Sequence, residues 1–344
     1  MGDGRMNALS PPGIIWTQAD NDGRPVPSYG QAEAIAVVSI SGGKDSLATA
    51  LVAIERYGAE RVRLVHADTG NEHPLTEQYV RDYLPGALGL PVSIVRADFA
   101  ADIERKRRVV LTKWVAEGVP DDVIQTALAA LVPTGNPFLD LCVWKGRFPS
   151  RRAQFCTTEL KVSPLGEFML SLRDLYRGLP LESWQGVRRD ESVARADALM
   201  WEIGDGGWWI HRPIIHWTAQ DTFAIAARYG IEPNPLYRMG MRRVGCMPCI
   251  NCGKGEIAEI ARRWPDVVER IRAWEAATSR ASKRTHSTFF HFDEMAGRTD
   301  AEHAAANSID QAVAWSRTSR GGRQFDLEAF APAAECSSVY GHCE

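Results

Sequence analysis

The sequence has no apolar run approaching the roughly 18 to 20 residues that cross a membrane. Its first residues, MGDGRMNALSPPG, show no charged-then-apolar leader pattern. Both absences predict a cytoplasmic chain without a membrane partner. A myristoylation signal is missing too, because Met6 stands where Ser or Thr is required. Charge of one sign is not in excess, and a formal net charge of -3 excludes a global electrostatic grip on phosphate backbones. Only Glu104–Arg108 (ERKRR) and Lys145–Arg152 (KGRFPSRR) are locally basic, so any nucleic-acid contact is a local one. Repeats and low-complexity tracts are absent. Seven cysteines in a cytosolic chain of 344 residues point to metal binding or catalysis rather than disulfides.

What is present is the composition of a soluble globular protein, 45% hydrophobic and 24% charged. The length allows one large α/β domain plus a smaller one, and it is compatible with a homo-oligomer. Residues 1–33, rich in Gly, Pro, Asp and Asn, read as a loose arm with one strand around Ile14–Thr17. Ala34–Ile40 (AIAVVSI) is a continuous apolar run of buried-strand length, followed at once by SGGKDS and a helical pattern through Leu47, Leu51 and Ile54. Val62–His66 and Val92–Arg96 read as further strands, with a helix over Leu75–Leu84 between them. Strand and helix alternation predicts an α/β fold built on a doubly wound parallel sheet.

Helical segments at Ile103–Glu117 and Asp121–Leu131 form an insertion over about 100–155. Strands return at Ser183–Val187 and Trp208–Ile215, and helices follow at Ala219–Tyr229, Glu256–Arg263 and Pro265–Arg280. The expected organisation is therefore an arm (1–33), a main domain (34–264) carrying the insertion, and a helical C-terminal region with a tail (265–344).

Ser41-Gly42-Gly43-Lys44-Asp45-Ser46 joins a strand to a helix N-terminus. Its glycines permit close backbone approach, its hydroxyls can donate, and the helix end favours anions. The spacing is not the Walker pattern, since only Gly42 and Gly43 precede the lysine, which disfavours a P-loop kinase or GTPase. A second strand ends in His66-Ala67-Asp68-Thr69-Gly70-Asn71-Glu72, where Asp68 is a candidate at the nucleotide edge. His66 taken alone reads as a packed or hydrogen-bonded histidine.

Cys246-Met247-Pro248-Cys249-Ile250-Asn251-Cys252 repeats C-x-x-C, a spacing that turns three thiolates onto one metal centre. Cys156 is the candidate for the fourth ligand and Cys142 the reserve. An iron-sulfur cluster fits this set, and zinc fits the same four thiolates in tetrahedral geometry. Arg188, Arg189 and Arg195 offer guanidinium forks for phosphate or sulfate oxygens, with Glu191 available to orient one of them. Arg151, Arg152 and Lys161 extend the anion site.

From Ala34 to Trp264 the chain resembles the phosphoadenosine phosphosulfate (PAPS) reductase family of the PP-loop ATP pyrophosphatase superfamily. SGGKDS, HADTG, Cys156–Leu165 (CTTELKVSPL), Gly186–Arg195 (GVRRDESVAR), Arg212–Asp221 (RPIIHWTAQD) and Asn234–Cys249 (NPLYRMGMRRVGCMPC) carry the likeness in order. The resemblance implies an adenine nucleotide alpha hydrolase-like, Rossmann-like fold. It also implies that Ser41–Ser46 holds the pyrophosphate part of ATP, with Lys44 and Asp45 catalytic and Asp45 near magnesium. In cluster-bearing reductases of the family an adjacent cysteine pair precedes a lysine. Here Cys156 and Lys161 match, Thr157 replaces the second cysteine, and Cys252 supplies the missing ligand of a 4Fe-4S cluster.

The complete SGGKDS loop makes the chain look closer to the iron-sulfur DNA-phosphorothioation sulfurtransferases and related phage enzymes than to reductases, whose loops are degraded. The first reading is an ATP-cleaving sulfurtransferase. A thiol-dependent phosphosulfate reductase, its tail thiol sought at Cys336 or Cys343, is the second. A non-catalytic nucleotide or redox sensor is the third.

Overall fold

The computed structural model describes residues 34–192, 195–204, 206–291 and 299–319. The strand expected around Ile14–Thr17 and the tail cysteines Cys336 and Cys343 lie outside the described residues. Two compact units emerge, each assembled from separated stretches. Among the described residues, one gathers 34–67, Pro74–Val95 and Leu165–Tyr237, and the other gathers Asp68–His73, Arg96–Pro164 and the described stretches between Arg238 and residue 319.

The first unit is built on a six-stranded sheet of order β3-β2-β1-β4-β6-β5. Its strands are β1 (Ile35–Ser39), β2 (Val62–Asp68), β3 (Val92–Arg96), β4 (Leu181–Trp184), β5 (Trp201–Ile203) and β6 (Trp209–His211). β1 pairs in parallel with both β2 and β4, and β4 with β6. β5 pairs antiparallel with β6, and Gly207 between them has φ +77°, a left-handed conformation that glycine adopts without penalty. The sheet is therefore mostly parallel.

The apolar run AIAVVSI is continuous because both faces of β1 are covered. Ala36 and Val38 point to the side of Leu47, Leu51, Val80, Leu84 and Ile225. Ile35 and Val37 point to the side of Met169, Leu172 and Leu181, as the two-residue repeat of a strand requires. The first face is covered by the helices Lys44–Tyr57, residues 74–88 and Ala219–Arg228, and the second by the Ser163–Leu175 helix.

The sequence reading gives no strand at β5 and differs at several strand ends; at β4 and β6 the cause is local. β4 begins two residues earlier than expected, since Leu181 and Glu182 pair with Ile35 and Ala36. It ends at Trp184, leaving Gln185 and Gly186 outside the ladder. β6 stops at His211 because Pro213 has no N–H to give to a ladder.

In the second unit the helices Asp121–Ala130 and Pro137–Lys145 pack with Pro265–Ala281, and Ala100–Val109 packs against Pro137–Lys145. Phe138 stacks on Trp274 and Phe289, at centroid distances of 5.4 and 5.8 Å. Glu275 fastens this core to the C-terminal helix Ile309–Ser316. Its carboxylate accepts the backbone N–H groups of Phe289 (2.9 Å) and Ile309 (3.1 Å), while Arg272 on the same helix pairs with Asp310. Among the described residues no helix is long and apolar enough to cross a membrane.

Burial pushes Glu275 up to about 7 from an ordinary 4.5, against the pull of those two amides. The folded state then binds the proton more tightly than the unfolded chain. Stability therefore falls as pH rises from about 4.5 to about 7, by at most about 1.4 kcal/mol per pH unit. Urea denaturation of the full chain between pH 5 and 8 is expected to show this slope, and Glu275→Gln is expected to flatten it. An unchanged slope in the variant would identify another group as the one that titrates.

Candidate functional site

The loop Ser41–Ser46 leaves the carboxyl end of β1, the central strand, beside which the sheet order reverses between β2 and β4. Ligands of doubly wound sheets bind at such a switch point. Gly42 takes φ +76°, and a Cβ there would stand 2.8 Å from Thr76 Cγ2 and 3.0 Å from Val80 Cγ2, so both conformation and space demand glycine. The loop is braced internally, the Ser41 N–H donating to Ser46 Oγ at 3.1 Å and Ser46 Oγ to the Gly43 carbonyl at 2.9 Å. Asn234 Nδ2 donates to the Gly42 carbonyl at 3.2 Å, and the Lys44 N–H donates to the Tyr237 hydroxyl at 2.9 Å.

Lys44 and Asp45 open the Lys44–Tyr57 helix, with Lys44 Nζ 2.8 Å from Asp45 Oδ2. The other carboxylate oxygen of Asp45 receives Arg188 Nε at 2.5 Å. Arg188 is 4% exposed; burial works against its charge, and Asp45 and Asp190 hold it cationic. It reaches Asp45 because Gly186, just past β4, lets two backbones touch. A Cβ on Gly186 would lie 2.7 Å from the carbonyl carbon and oxygen of Asp45.

The three arginines expected to form one anion group take different partners. Arg189 gives its guanidinium to the Ala198 carbonyl at 3.1 and 2.9 Å, and Arg195 pairs with Glu191. Only Arg188 of the three is bonded to the phosphate loop among the contacts seen. His66 is a hydrogen-bonded core histidine, its Nδ1 being 2.7 Å from the Ile40 carbonyl.

In the second unit the segment after β2 meets the cysteine loop. Asp68 Oδ1 accepts the Gly70 N–H at 3.0 Å, and Oδ2 lies 3.9 Å from Arg96 Nε. Glu72 and Cys246 form an antiparallel bridge. Thr69 Oγ1 donates to Glu72 Oε1 at 2.6 Å and stands 3.5 Å from Cys246 Sγ. Cys252 Sγ accepts the Cys249 N–H at 3.2 Å, Cys249 Sγ the Asn251 N–H at 3.5 Å, and the Cys252 carbonyl accepts from Arg151 at 3.1 Å.

Lys161, expected to extend the anion site towards the cluster, sits electrostatically among the thiols. Its pKa is raised first by Cys246, then by Glu72, Cys249 and Cys156, against burial. The thiols themselves are lifted by burial: Cys246 to about 11 despite Lys161, Cys156 upward less far, and Cys252 well above its usual range with Glu256 and Cys249 adding to the effect. Cys142 is fully buried and also lifted, by burial and then by Cys156.

Sequence reading did not single out Thr69, Asn71 and Glu72 as the backing of the cysteine loop, nor Arg270 and Glu256. HADTGNE was visible as a motif, but its assignment to the nucleotide edge came from strand order alone. Nothing in the sequence signals that its last residues pair with Cys246.

A phosphoadenosine phosphosulfate reductase domain matches residues 143–252, a stretch holding all four candidate ligands together with Lys161 and Arg188. An uncharacterised 37.8 kDa protein in the gpa 5′ region of Escherichia phage 186 is 44% identical over 329 residues, 90% of this chain and 97% of that one. The adenosine 5′-phosphosulfate reductase of Deinococcus radiodurans is 34% identical over 110 residues, 32% of this chain and 40% of the reductase. Among solved structures, the phosphoadenylyl-sulfate reductase of Candida auris in its phosphate complex aligns with a TM-score of 0.39 at 16% identity, over 62% of this chain and 82% of that one.

The Gly186 contact yields a direct test. Gly186→Ala forces the β4 loop away from Asp45 and is expected to cost about 1–3 kcal/mol of stability, the usual effect of overpacking. It should also weaken binding of ATP or inorganic pyrophosphate, measured by calorimetry, because Arg188 is drawn off Asp45. Wild-type affinity in the variant would show that the close approach does not serve the loop.

Proposed function

Because the chain belongs to the phosphoadenosine phosphosulfate reductase family and matches a phage protein over most of its length, we propose that it is an ATP-consuming sulfurtransferase of that family. In this reading Ser41, Gly42, Gly43 and Ser46 cradle the β and γ phosphates, and Lys44 carries positive charge to them. An acceptor oxygen attacks the α phosphorus, pyrophosphate leaves, and the adenylylated oxygen later departs as AMP when a sulfur nucleophile replaces it.

The observation that carries the ATP step is the complete loop at the sheet's switch point, with Lys44 and Arg188 both on Asp45. Two cations beside one carboxylate make a patch that phosphate oxygens can enter by exchanging partners. Asp45 is the carboxylate for magnesium, whose charge neutralises the departing pyrophosphate. Asp68 is a further carboxylate proposed for the nucleotide. Arg189 and Arg195 are committed to Ala198 and Glu191, and would serve the anion only by releasing them.

For the metal centre, the donor set fits an iron-sulfur cluster. Cys156, Cys246, Cys249 and Cys252 are soft thiol ligands, and Lys161 offsets the negative charge that a thiolate-ligated cluster brings. Zinc held in tetrahedral geometry by the same four thiolates is the alternative metal reading. A bound 4Fe-4S cluster would supply electron or sulfur chemistry, while Lys161 and Glu72 set the charge around it.

The likeness to adenosine 5′-phosphosulfate reductases favours a second reading, in which a thiol reduces the sulfate sulfur of a phosphosulfate nucleotide. A chain that binds both ligands and turns over neither would be a sensor.

Lys44→Ala and Asp45→Ala are each expected to lower ATP-dependent pyrophosphate release by at least about 10²-fold, with the cluster's colour retained. Unchanged release in both variants rejects the ATP step, and sulfite formation from a phosphosulfate nucleotide would favour the reductase. In protein purified anaerobically, broad visible absorbance is expected to disappear in Cys156→Ser, Cys246→Ser, Cys249→Ser and Cys252→Ser but to persist in Cys142→Ser. Stoichiometric zinc without sulfide would reject the cluster.

A further inference from the structure

The three residues between Glu72 and the phosphate-loop unit's strand β2 include one side chain that the proposed chemistry leaves unused. Asn71 is fully buried, and it meets the cysteine loop at the first and third of the three peptides that link Cys246 to Cys249. The Met247 N–H donates to the Asn71 carbonyl at 2.7 Å, and Asn71 Nδ2 donates to the Pro248 carbonyl at 2.9 Å. Arg270, from the Pro265–Ala281 helix, donates through Nη2 to the Met247 carbonyl at 2.5 Å and to Asn71 Oδ1 at 3.2 Å. Asn71 is itself held, its N–H lying 3.3 Å from Thr69 Oγ1 and 3.2 Å from Glu72 Oε2.

We propose that Asn71 and Arg270 are positioning residues for the sulfur centre, clamping the Met247–Pro248 backbone so that Cys246 and Cys249 present their sulfurs in one fixed geometry. The inference rests on the assignment of those cysteines as ligands. Four groups of the intervening backbone are involved: Met247 N–H, Met247 C=O and Pro248 C=O are bound by the clamp, and the next amide, Cys249 N–H, points to Cys252 Sγ. A three-residue step between two ligands has few soft dihedrals. Fixing its middle therefore fixes the direction of the Cys249 amide and with it the N–H···S bond. Hydrogen bonds to sulfur are among the factors that set the potential of an iron-sulfur centre, and partners beyond the ligands orient them.

A clamp of this kind differs from a merely structural contact in what its loss changes. Asn71→Asp keeps the side chain's size and the acceptor for Arg270 but removes the donor to the Pro248 carbonyl. Arg270→Lys keeps the charge but removes the planar guanidinium whose Nη2 meets both the Met247 carbonyl and Asn71 Oδ1. All four cysteines survive in both, so metal uptake is expected to persist while the electronic signature moves.

The test measures the full chain, wild type and both variants, anaerobically reconstituted with iron and sulfide. The readouts are the EPR g values of the reduced protein, the midpoint potential and the melting temperature. Metal-free samples are titrated in parallel with cobalt(II), whose visible bands report thiolate geometry. Shifted g values and midpoint in both variants, with cobalt bands shifted alongside, are the expected result. Variants that melt earlier but keep wild-type g values, midpoint and cobalt bands would overturn the clamp and leave a structural contact. A wild type that takes up cobalt but assembles no iron and sulfide would sink the cluster reading; shifted cobalt bands in the variants would still uphold the clamp, and unshifted ones would overturn it. Failure to take up either metal overturns both.

Discussion

The ion pair between Arg188 and Asp45 is the contact on which the arrangement of the Ser41–Ser46 loop depends. It joins the loop after β4 to the loop after β1, two segments more than 140 residues apart in sequence. Arg188 is nearly withdrawn from water, and removing one partner of a buried pair typically costs about 3–5 kcal/mol because the other charge is left uncompensated. The pair therefore holds the phosphate loop in one conformation. It forms only because Gly186 has no side chain, since any Cβ would strike the Asp45 backbone. Glycine after one strand and a carboxylate after another are two parts of one device.

The second unit solves a different electrostatic problem. Burial raises the pKa of Cys156, Cys246 and Cys252, which makes isolated thiolates costly, and a metal that displaces the thiol protons removes that cost. Lys161 supplies the compensating positive charge and Glu72 moderates it. The backbone around these groups is tied by Asn71 and Arg270, which bind the Met247 N–H and the Met247 and Pro248 carbonyls of the cysteine loop. Buried backbone polar groups need such partners, and a loop furnished with them can hold thiols where no helix or strand would.

Trp144 and Phe155 show why local basic sequence is a poor guide to partners. Lys145 lies 3.7 Å over the Trp144 ring, Phe99 stacks on the same ring at 5.5 Å, and Arg147 is 5.5 Å from Phe155. Lys145 also pairs with Glu159 at 2.9 Å. The cations of KGRFPSRR thus spend part of their interaction on aromatic rings and a carboxylate of the same unit, so that charge counted along the chain overstates what is offered to an outside anion.

The sequence by itself determined the α/β class, the strand–loop–helix of SGGKDS and the clustering of three cysteines. These rest on local physics: a both-faces-buried strand reads as a continuous apolar run, a phosphate loop needs glycines beside a helix start, and C-x-x-C spacing is short enough to close one turn. The helices at Asp121–Ala130, Ala219–Arg228 and Pro265–Ala281 were legible for the same reason, as periodic or punctuated segments. Only the tertiary structure decided that Arg188 meets Asp45 and that Asn71 and Glu72 back the cysteine loop. Each of these is a contact between segments far apart in the chain, chosen by which backbones can approach and which buried charges find a partner. Neither condition is written in the spacing of residues along one segment.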